Sequence, residues 1–374
     1  MTSLFRMTTG SHLAIDLRMY RMSGIGRYLQ TLLPLLVPHL HAAQISILGA
    51  PEDLSGEAWA SDPRIAFRRH HARIFSGAEQ LAAILGLYRG VDLLWTPQYN
   101  IPVLYRGRLL VTVHDVCQLA MPETLGSPLQ RWYARFLFAR VAARASAVLC
   151  VSEFTAREAS LRAGIDRGRI TVAYPCLNDF WTPPTTAGPA PRPNPYFLAV
   201  GNLKKHKNLL SAIAAFRQIQ DRIPHDLVIV GNREGLLNVD TKLEAAPGQS
   251  HSRVIFTGHV TDDELRRYYL HAEGLVFPSR YEGFGSPLME AMALECPIAC
   301  SRAASLPEVA GEAALYFDPA NTGDIAAAML RLAEDKTLQA DLRRKGIARL
   351  ERFRGDEPVR IVAGVINRLL EDQR

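Results

Sequence analysis

Residues 280–295 read RYEGFGSPLMEAMALE. Two carboxylates, Glu282 and Glu290, stand eight positions apart, with Gly283, Phe284, Gly285, Ser286 and Pro287 between them. The glycines permit unusual backbone angles and a close approach of main chain to a ligand. Ser286 followed by Pro287 reads as the N-cap and first residue of a helix. Such a turn offers free backbone N–H groups at a helix N-terminus, a setting suited to phosphate oxygens. A capping box would need Glu or Gln at position 289, where Met stands, so capping does not account for Glu290. The plainer reading is an acidic residue favoured by the helix dipole in the first turn.

Short apolar runs recur on both sides of this stretch. Strands are expected at residues 13–17, 45–48, 93–95, 109–113, 147–151 and 170–173, and again at 196–200, 227–230, 254–256, 274–277, 297–300 and 315–317. Several are apolar throughout rather than alternating, which suits parallel strands covered on both faces. Helical segments such as 209–220 and 262–271 lie between them, so the fold class is α/β. Residues 182–195, TPPTTAGPAPRPNP, carry six prolines and admit neither a helix nor a central strand. They read as a semi-stiff linker. The 374 residues suit two domains at roughly 100–200 residues each. The division expected is 1–182, a linker 183–195, and 196–355. A C-terminal amphipathic helix follows in 356–374, either resting on the second domain or crossing back to the first.

Composition narrows the function classes. With 48% hydrophobic and 21% charged residues the chain is ordinary globular material, neither disordered nor fibrous. The net charge of +6 is mild and compatible with an anionic membrane, a phosphate-bearing ligand or nucleic acid. Five cysteines without a CxxC pair argue against zinc sites and a disulfide framework, and favour a reducing, cytoplasmic setting. No signal peptide and no apolar run of about 18 residues is visible.

Other clusters could carry chemistry. Residues 201–209, GNLKKHKNL, follow an expected strand; Gly201 makes a turn, and Lys204, Lys205, His206 and Lys207 gather before a helix. That arrangement suits a diphosphate, and also suits a solvated lysine loop. In VTVHDV, residues 111–116, His114 follows a strand whose carboxyl end is where open α/β sheets bind ligands. SGIGRY, residues 23–28, reads as a glycine-rich loop whose backbone at Gly24 and Gly26 approaches a phosphate or a second substrate. Leu29 stands where a dinucleotide fingerprint needs its third glycine. Residues 129–147 mix aromatic and basic side chains; Arg131 and Arg135 fall opposite Arg140 and Arg144, which favours a packing helix over a membrane-surface helix. No acidic metal motif is placed near these clusters, and Asp262-Asp263 reads as a helix start.

The run EGFGSPLME, from Glu282 to Glu290, resembles the E-x7-E motif of the retaining glycosyltransferases of family 4. SLPEV at 305–309, Gly311, and FDP at 317–319 are similar to the segment that follows the motif. Alone, Ser305 to Glu308 reads as a capping box with a structural role. The resemblance implies a GT-B architecture, two Rossmann-like domains facing a cleft. It implies that Lys207 and His206 hold the donor pyrophosphate, with Arg280 and the Phe284, Gly285 and Ser286 amides assisting. It assigns Glu290 to the ribose, Glu282 to the donor sugar, and His114 to that same sugar. It also implies metal-independent transfer without a cofactor, from a nucleotide-sugar donor. GDP-mannose is favoured, with a saccharide or lipid-linked saccharide as acceptor in polysaccharide synthesis. Peripheral contact with the anionic inner face of the plasma membrane fits the basic charge; nucleic acid is not an expected partner. The alternatives weighed are a nucleotide-sugar epimerase or hydrolase on the same fold, an NAD-linked oxidoreductase, and a nucleic-acid binder.

Overall fold

The computed structural model describes residues 10–231 and 253–372, apart from residues 83, 85, 185, 187 and 355. Linker positions 185 and 187 therefore lie outside the described residues, as do residues 1–9 of the first expected domain, 232–252 and 355 of the second, and 373–374 of the expected C-terminal helix. The chain forms two units. The first runs up to Cys176 and takes in the segment from Arg354 onward; the second is Leu177–Phe353.

The first unit holds strands β1 (His12–Asp16), β2 (Gln44–Gly49), β3 (Ile65–Arg69), β4 (Leu93–Thr96), β5 (Arg108–Val113), β6 (Ala147–Cys150) and β7 (Ile170–Val172). They form one parallel sheet in the order β3-β2-β1-β4-β5-β6-β7. The second unit holds β8 (Tyr196–Val200), β9 (Asp226–Val230), β10 (Val254–Gly258), β11 (Gly274–Phe277), β12 (Ile298–Ser301) and β13 (Ala314–Phe317), parallel in the order β10-β9-β8-β11-β12-β13. Each order reverses once, at β1/β4 and at β8/β11. Ligands of open α/β sheets sit beyond the strand carboxyl ends at such reversals. Each expected strand overlaps an observed one. The edge strand β3, IAFRR, is not among the expected strands; its apolar run is three residues long and closes on two arginines.

Most of the strands are buried on both faces. In the first unit Leu13, Ile15, Leu93 and Trp95 share a core with Leu29 and Leu33 of the helix Ser23–Leu36. Val362 and Ile366 join that core from the C-terminal helix Glu357–Glu371. Each such side chain contributes roughly 1.5–3 kcal/mol on burial. Asn367 fixes the helix's register: its Oδ1 accepts the His41 N–H at 2.9 Å and its Nδ2 donates to the His39 carbonyl at 3.0 Å. In the second unit Phe197, Phe216, Leu227 and Phe317 pack with Ile325 and Met329.

One expectation about local structure is corrected here. Residues 23–28 are the first turns of the helix Ser23–Leu36, not a glycine-rich loop. A Cβ on Gly26 would lie 2.5 Å from the Tyr20 carbonyl oxygen, so Gly26 is explained by close packing on the preceding turn. Around Gly24 there is open space. No helix among the described residues is long and apolar enough to cross a membrane.

Candidate functional site

The loops after β8 and β11 flank the strand-order reversal of the second sheet. After β8 the chain turns at Gly201, whose N–H donates to the Val230 carbonyl at 2.9 Å. Gly231, at φ 151, backs this turn, and a Cβ there would fall 2.2 Å from the Gly201 carbonyl oxygen. Only glycine lets the two strand ends close so tightly. The Lys207 stem covers Gly201, its Cδ standing 3.5 Å from where a Cβ would be. Residues Lys205–Lys207 make one tight turn, and Asn208 follows at φ 55, in the left-handed region that Asn tolerates. The Asn208 Nδ2 lies 3.1 Å from the Pro278 carbonyl and 2.8 Å from the Pro319 carbonyl and donates to both. One side chain thereby ties together the loops after β8, β11 and β13.

The loop after β11 meets the first loop twice. The Arg280 backbone N–H donates to the His206 carbonyl at 2.7 Å. The Lys207 Nζ donates to Glu282 Oε1, also at 2.7 Å, with side chains 20% and 11% exposed. The Lys207 ammonium also stands 5.6 Å from the Phe277 ring centre. The helix Ser286–Ala293 is capped by Gly285, at φ 96 and ψ 55, so Ser286 is its first residue rather than its N-cap. Among the described residues, the N–H groups of Gly285 and Ser286 have no protein partner. They form the positive end of the helix dipole. The Ser305 hydroxyl reaches the Glu282 carbonyl at 3.0 Å and the Phe284 carbonyl at 2.9 Å, its single proton serving one at a time. The expected capping box at Ser305–Glu308 is therefore absent; the serine holds the glycine loop instead.

Glu290 is the fifth residue of its helix and 1% exposed, beyond the first turn where the dipole alone would favour it. The Tyr269 hydroxyl donates to its Oε2 at 2.8 Å, and the Tyr269 ring meets Trp181 edge to face at 6.0 Å. Phe284 turns its ring into the interior against Phe353, 5.5 Å between centres, leaving only its backbone to the loop. Lys204, Lys205 and Arg280 are exposed, and the Arg280 guanidinium has no partner among the described residues. The second unit thus brings together Gly201, His206, Lys207, Arg280, Glu282, Phe284, Gly285, Ser286 and Glu290. Asn208, Gly231, Tyr269 and Ser305 support them and carry no motif of their own.

His114, Gly24 and Gly26 belong to the first unit. His114 follows β5, and its Nε2 lies 3.0 Å from the carbonyl of Pro97, the residue after β4. Burial pushes the imidazole down to about 4, against the raising effect of that hydrogen bond. The ring is neutral near pH 7; Nε2–H donates to Pro97 and Nδ1 is left as an acceptor, a tautomer assigned from this bond. The Tyr28 ring stands across it at 85°, 5.0 Å between centres. Asp115 Oδ1 accepts the Cys117 N–H at 2.8 Å and so shapes the next turn. Beside β1 lies a buried ionic group the sequence patterns missed: Arg18 bonds both Asp16 carboxylate oxygens and also Glu79, whose Oε2 accepts from Asn100 Nδ2 at 2.6 Å.

Comparison with known proteins adds an independent line. The family model for group 1 glycosyl transferases matches residues 187–349, and that for Glycosyltransferase Family 4 matches residues 22–179. The chain is 25% identical over 357 residues to the O-antigen chain mannosyltransferase B of Escherichia coli, covering 89% of this chain and 93% of that one. It is 32% identical over 236 residues to the O-antigen chain mannosyltransferase RfbU of Salmonella typhimurium, covering 61% of each. In fold it is similar to sucrose-phosphate synthase of Thermosynechococcus elongatus, with a TM-score of 0.72 at 19% identity, over 97% of this chain and all of the other.

Proposed function

The chain belongs to glycosyltransferase family 4, an enzyme family of GT-B fold, and on that premise we propose that it transfers a hexose, mannose first, from a nucleotide sugar to a saccharide acceptor. The favoured donor is GDP-mannose and the favoured acceptor a lipid-linked saccharide in surface polysaccharide synthesis at the cytoplasmic side of the membrane. Mannose is supported by the two O-antigen mannosyltransferases the chain resembles. Because those relatives are transferases, epimerase or hydrolase activity is not the favoured reading.

The observation that carries the proposal is the pairing of Lys207 with Glu282 across the two loops that flank the β8/β11 reversal, next to a glycine-capped helix. Breaking the sugar–phosphate bond leaves a nucleoside diphosphate on which negative charge grows. Fixed cations and backbone donors stabilise such charge without reorganising. Lys207 supplies the ammonium, and the Gly285 and Ser286 amides supply dipoles. Arg280 and His206 add positive charge from the same pair of loops. Charge stabilisation of this kind operates without a metal ion. Glu290 has the two-oxygen acceptor needed for the ribose hydroxyls. Glu282 and His114 are assigned to the donor sugar, His114 as a neutral hydrogen-bonding group. Gly24, in the first turn of the helix Ser23–Leu36, is assigned to backbone contact with donor phosphate or acceptor; Gly26 is not, because its N–H donates to the Met22 carbonyl at 2.9 Å.

The test is transfer from GDP-mannose, UDP-glucose and UDP-galactose to lipid-linked saccharide acceptors, with and without EDTA. The anomeric configuration of the product is read by NMR. The proposal expects mannose transfer with retained configuration, unaffected by chelation. Release of free sugar without transfer, or an inverted product, would overturn it.

A further inference from the structure

Two aromatic side chains outside the donor-site loops support them from behind. The second unit is Leu177–Phe353, so Trp181 stands near its first end and Phe353 is its last residue. Trp181 closes the short turn Asp179–Trp181 and is 3% exposed. Phe353 closes the turn Glu351–Phe353 and is fully buried. Trp181 meets the Tyr269 ring edge to face, 6.0 Å between centres and 85° apart. The Tyr269 hydroxyl in turn donates to Glu290 Oε2 at 2.8 Å. Phe353 meets Phe284, which lies between the two motif carboxylates, at 5.5 Å and 90°. Each end of the unit is thus seated against a different arm of the motif.

The segment carrying Trp181 is fastened to the helix that carries Tyr269. That helix, Asp262–His271, starts on a capping box between Thr261 and Glu264. Its Arg266 donates to the Thr182 carbonyl and stands 5.2 Å from the Phe180 ring centre. Farther along, His271 Nε2 lies 3.2 Å from the Gly188 carbonyl. A phenol hydroxyl lies on the axis of its ring, so its position follows the tilt of the ring. The indole edge fixes that tilt. Without the indole a cavity opens into which the phenol can lean. Glu290, 1% exposed, would then lose a donor it cannot replace with bulk water, and its carboxylate would move. Phe353 backs the glycine loop in the same way. Arg349 stands 5.7 Å from its ring centre and donates to the Val309 carbonyl at 2.9 Å, so the ring that faces Phe284 is itself held.

We propose that Trp181 is a positioning residue for the donor ribose, acting through the Tyr269 hydroxyl on Glu290, and that Phe353 positions the phosphate-facing Gly285 and Ser286 amides through Phe284. The proposal deepens the donor-site reading and rests on it. It divides the donor between two supports. Loss of Trp181 is felt by the ribose hydroxyls, and loss of Phe353 by the phosphates. A purely structural role for either ring would weaken every ligand of the unit alike.

The experiment titrates the full chain with GDP and with 2′,3′-dideoxy-GDP, and with UDP and its dideoxy analogue alongside. A carboxylate on the ribose hydroxyls should give wild type a preference of about tenfold or more for the ribose form. Trp181→Leu should cut that preference to about threefold or less, with the dideoxy form bound as in wild type. Phe353→Leu should weaken both forms by one factor and leave the preference intact. Trp181→Leu combined with Tyr269→Phe should lower the preference no further than either change alone, because both act on one hydrogen bond. Trp181→Phe keeps a ring at the position and should fall between wild type and the leucine variant. If Trp181→Leu does not fold, the phenylalanine variant carries the test, with a preference below wild type expected. An unchanged preference in the Trp181 variants, an equal loss of both forms there, or additive losses in the double variant would overturn the proposal. Wild type that binds no diphosphate, or shows no preference for the ribose form, would overturn the donor-ribose reading and the proposal together. That outcome is distinct from a wild-type preference that the Trp181 variants keep, which overturns the proposal alone.

Discussion

Lys207 and Glu282 form one ion pair, yet the account gives them opposite effects on a diphosphate. The ammonium donates to the carboxylate at 2.7 Å, and both groups are mostly buried. If Lys207 holds the donor phosphates, Lys207→Met removes a charge-assisted hydrogen bond worth about 1.5–3 kcal/mol. That corresponds to roughly ten- to hundredfold weaker binding of the nucleoside diphosphate. Glu282→Gln removes a negative charge from beside the phosphates and frees the ammonium from its partner. The free diphosphate should then bind as tightly as before, or several-fold tighter. The nucleotide sugar should gain less or lose, because Glu282 is assigned to the sugar. Turnover should fall in both variants. Isothermal titration with the diphosphate and with the nucleotide sugar reads all four affinities. If both variants weaken the free diphosphate to the same extent, the pair is a structural bridge and the charge argument is refuted.

Burial holds both His114 and His70 down to about 4, with the Arg18 charge adding to the effect at His70. The unfolded chain takes up these protons near 6.5, so it binds more protons than the native state between the two values. Stability should therefore fall as pH drops from 6.5 toward 4, by roughly 1–3 kcal/mol per histidine; denaturant melts of His114→Asn and His70→Asn should show a flatter acid limb, and unchanged limbs would contradict the assignment. Tyr269→Phe removes the hydroxyl donor from the buried Glu290 carboxylate. It should raise KM for the nucleotide sugar several-fold with a smaller change in kcat, whereas an unchanged KM would mean that the bond does not position Glu290. Gly231→Ala places a Cβ against the Gly201 carbonyl and should lower both Tm and diphosphate affinity, while Gly24→Ala meets open space and should shift Tm by less than about 1 kcal/mol equivalent. Equal losses in the two glycine variants would show that the Gly201–Gly231 contact is not what shapes the loop.

The parts of the molecule legible in its sequence are those whose signal is local. Apolar strands announce themselves as continuous runs, and so twelve could be placed, most of them buried on both faces. The glycine loop, Lys207 and the carboxylates lie within short windows, and the family motif spans one of them. What could not be read depends on partners far apart in the chain. Asn208 matters because it reaches Pro278 and Pro319, and Tyr269 because it meets Glu290. Gly231 is required only because Gly201 packs against it. The helix start at Ser23 is not legible in the sequence because its N-cap residue Met22 offers no capping side chain and two glycines suggest a loop. For the C-terminal helix, its amphipathic face was visible but the core it meets was not; Val362 and Ile366 pack on the first unit. Ser305 matched a capping pattern, but its hydroxyl turns to the carbonyls of the glycine loop instead.

The most direct test of the donor site is thermal unfolding with GDP, UDP, ADP and NAD, on wild type and on Glu290→Ala. A ligand at about a hundred times its Kd adds roughly 2.7 kcal/mol, enough for a clear upward shift in Tm. The account predicts that one nucleoside diphosphate stabilises wild type and loses most of that effect in the variant, which also identifies the base. No shift with any diphosphate, an equal shift in Glu290→Ala, or a shift with NAD alone would contradict it.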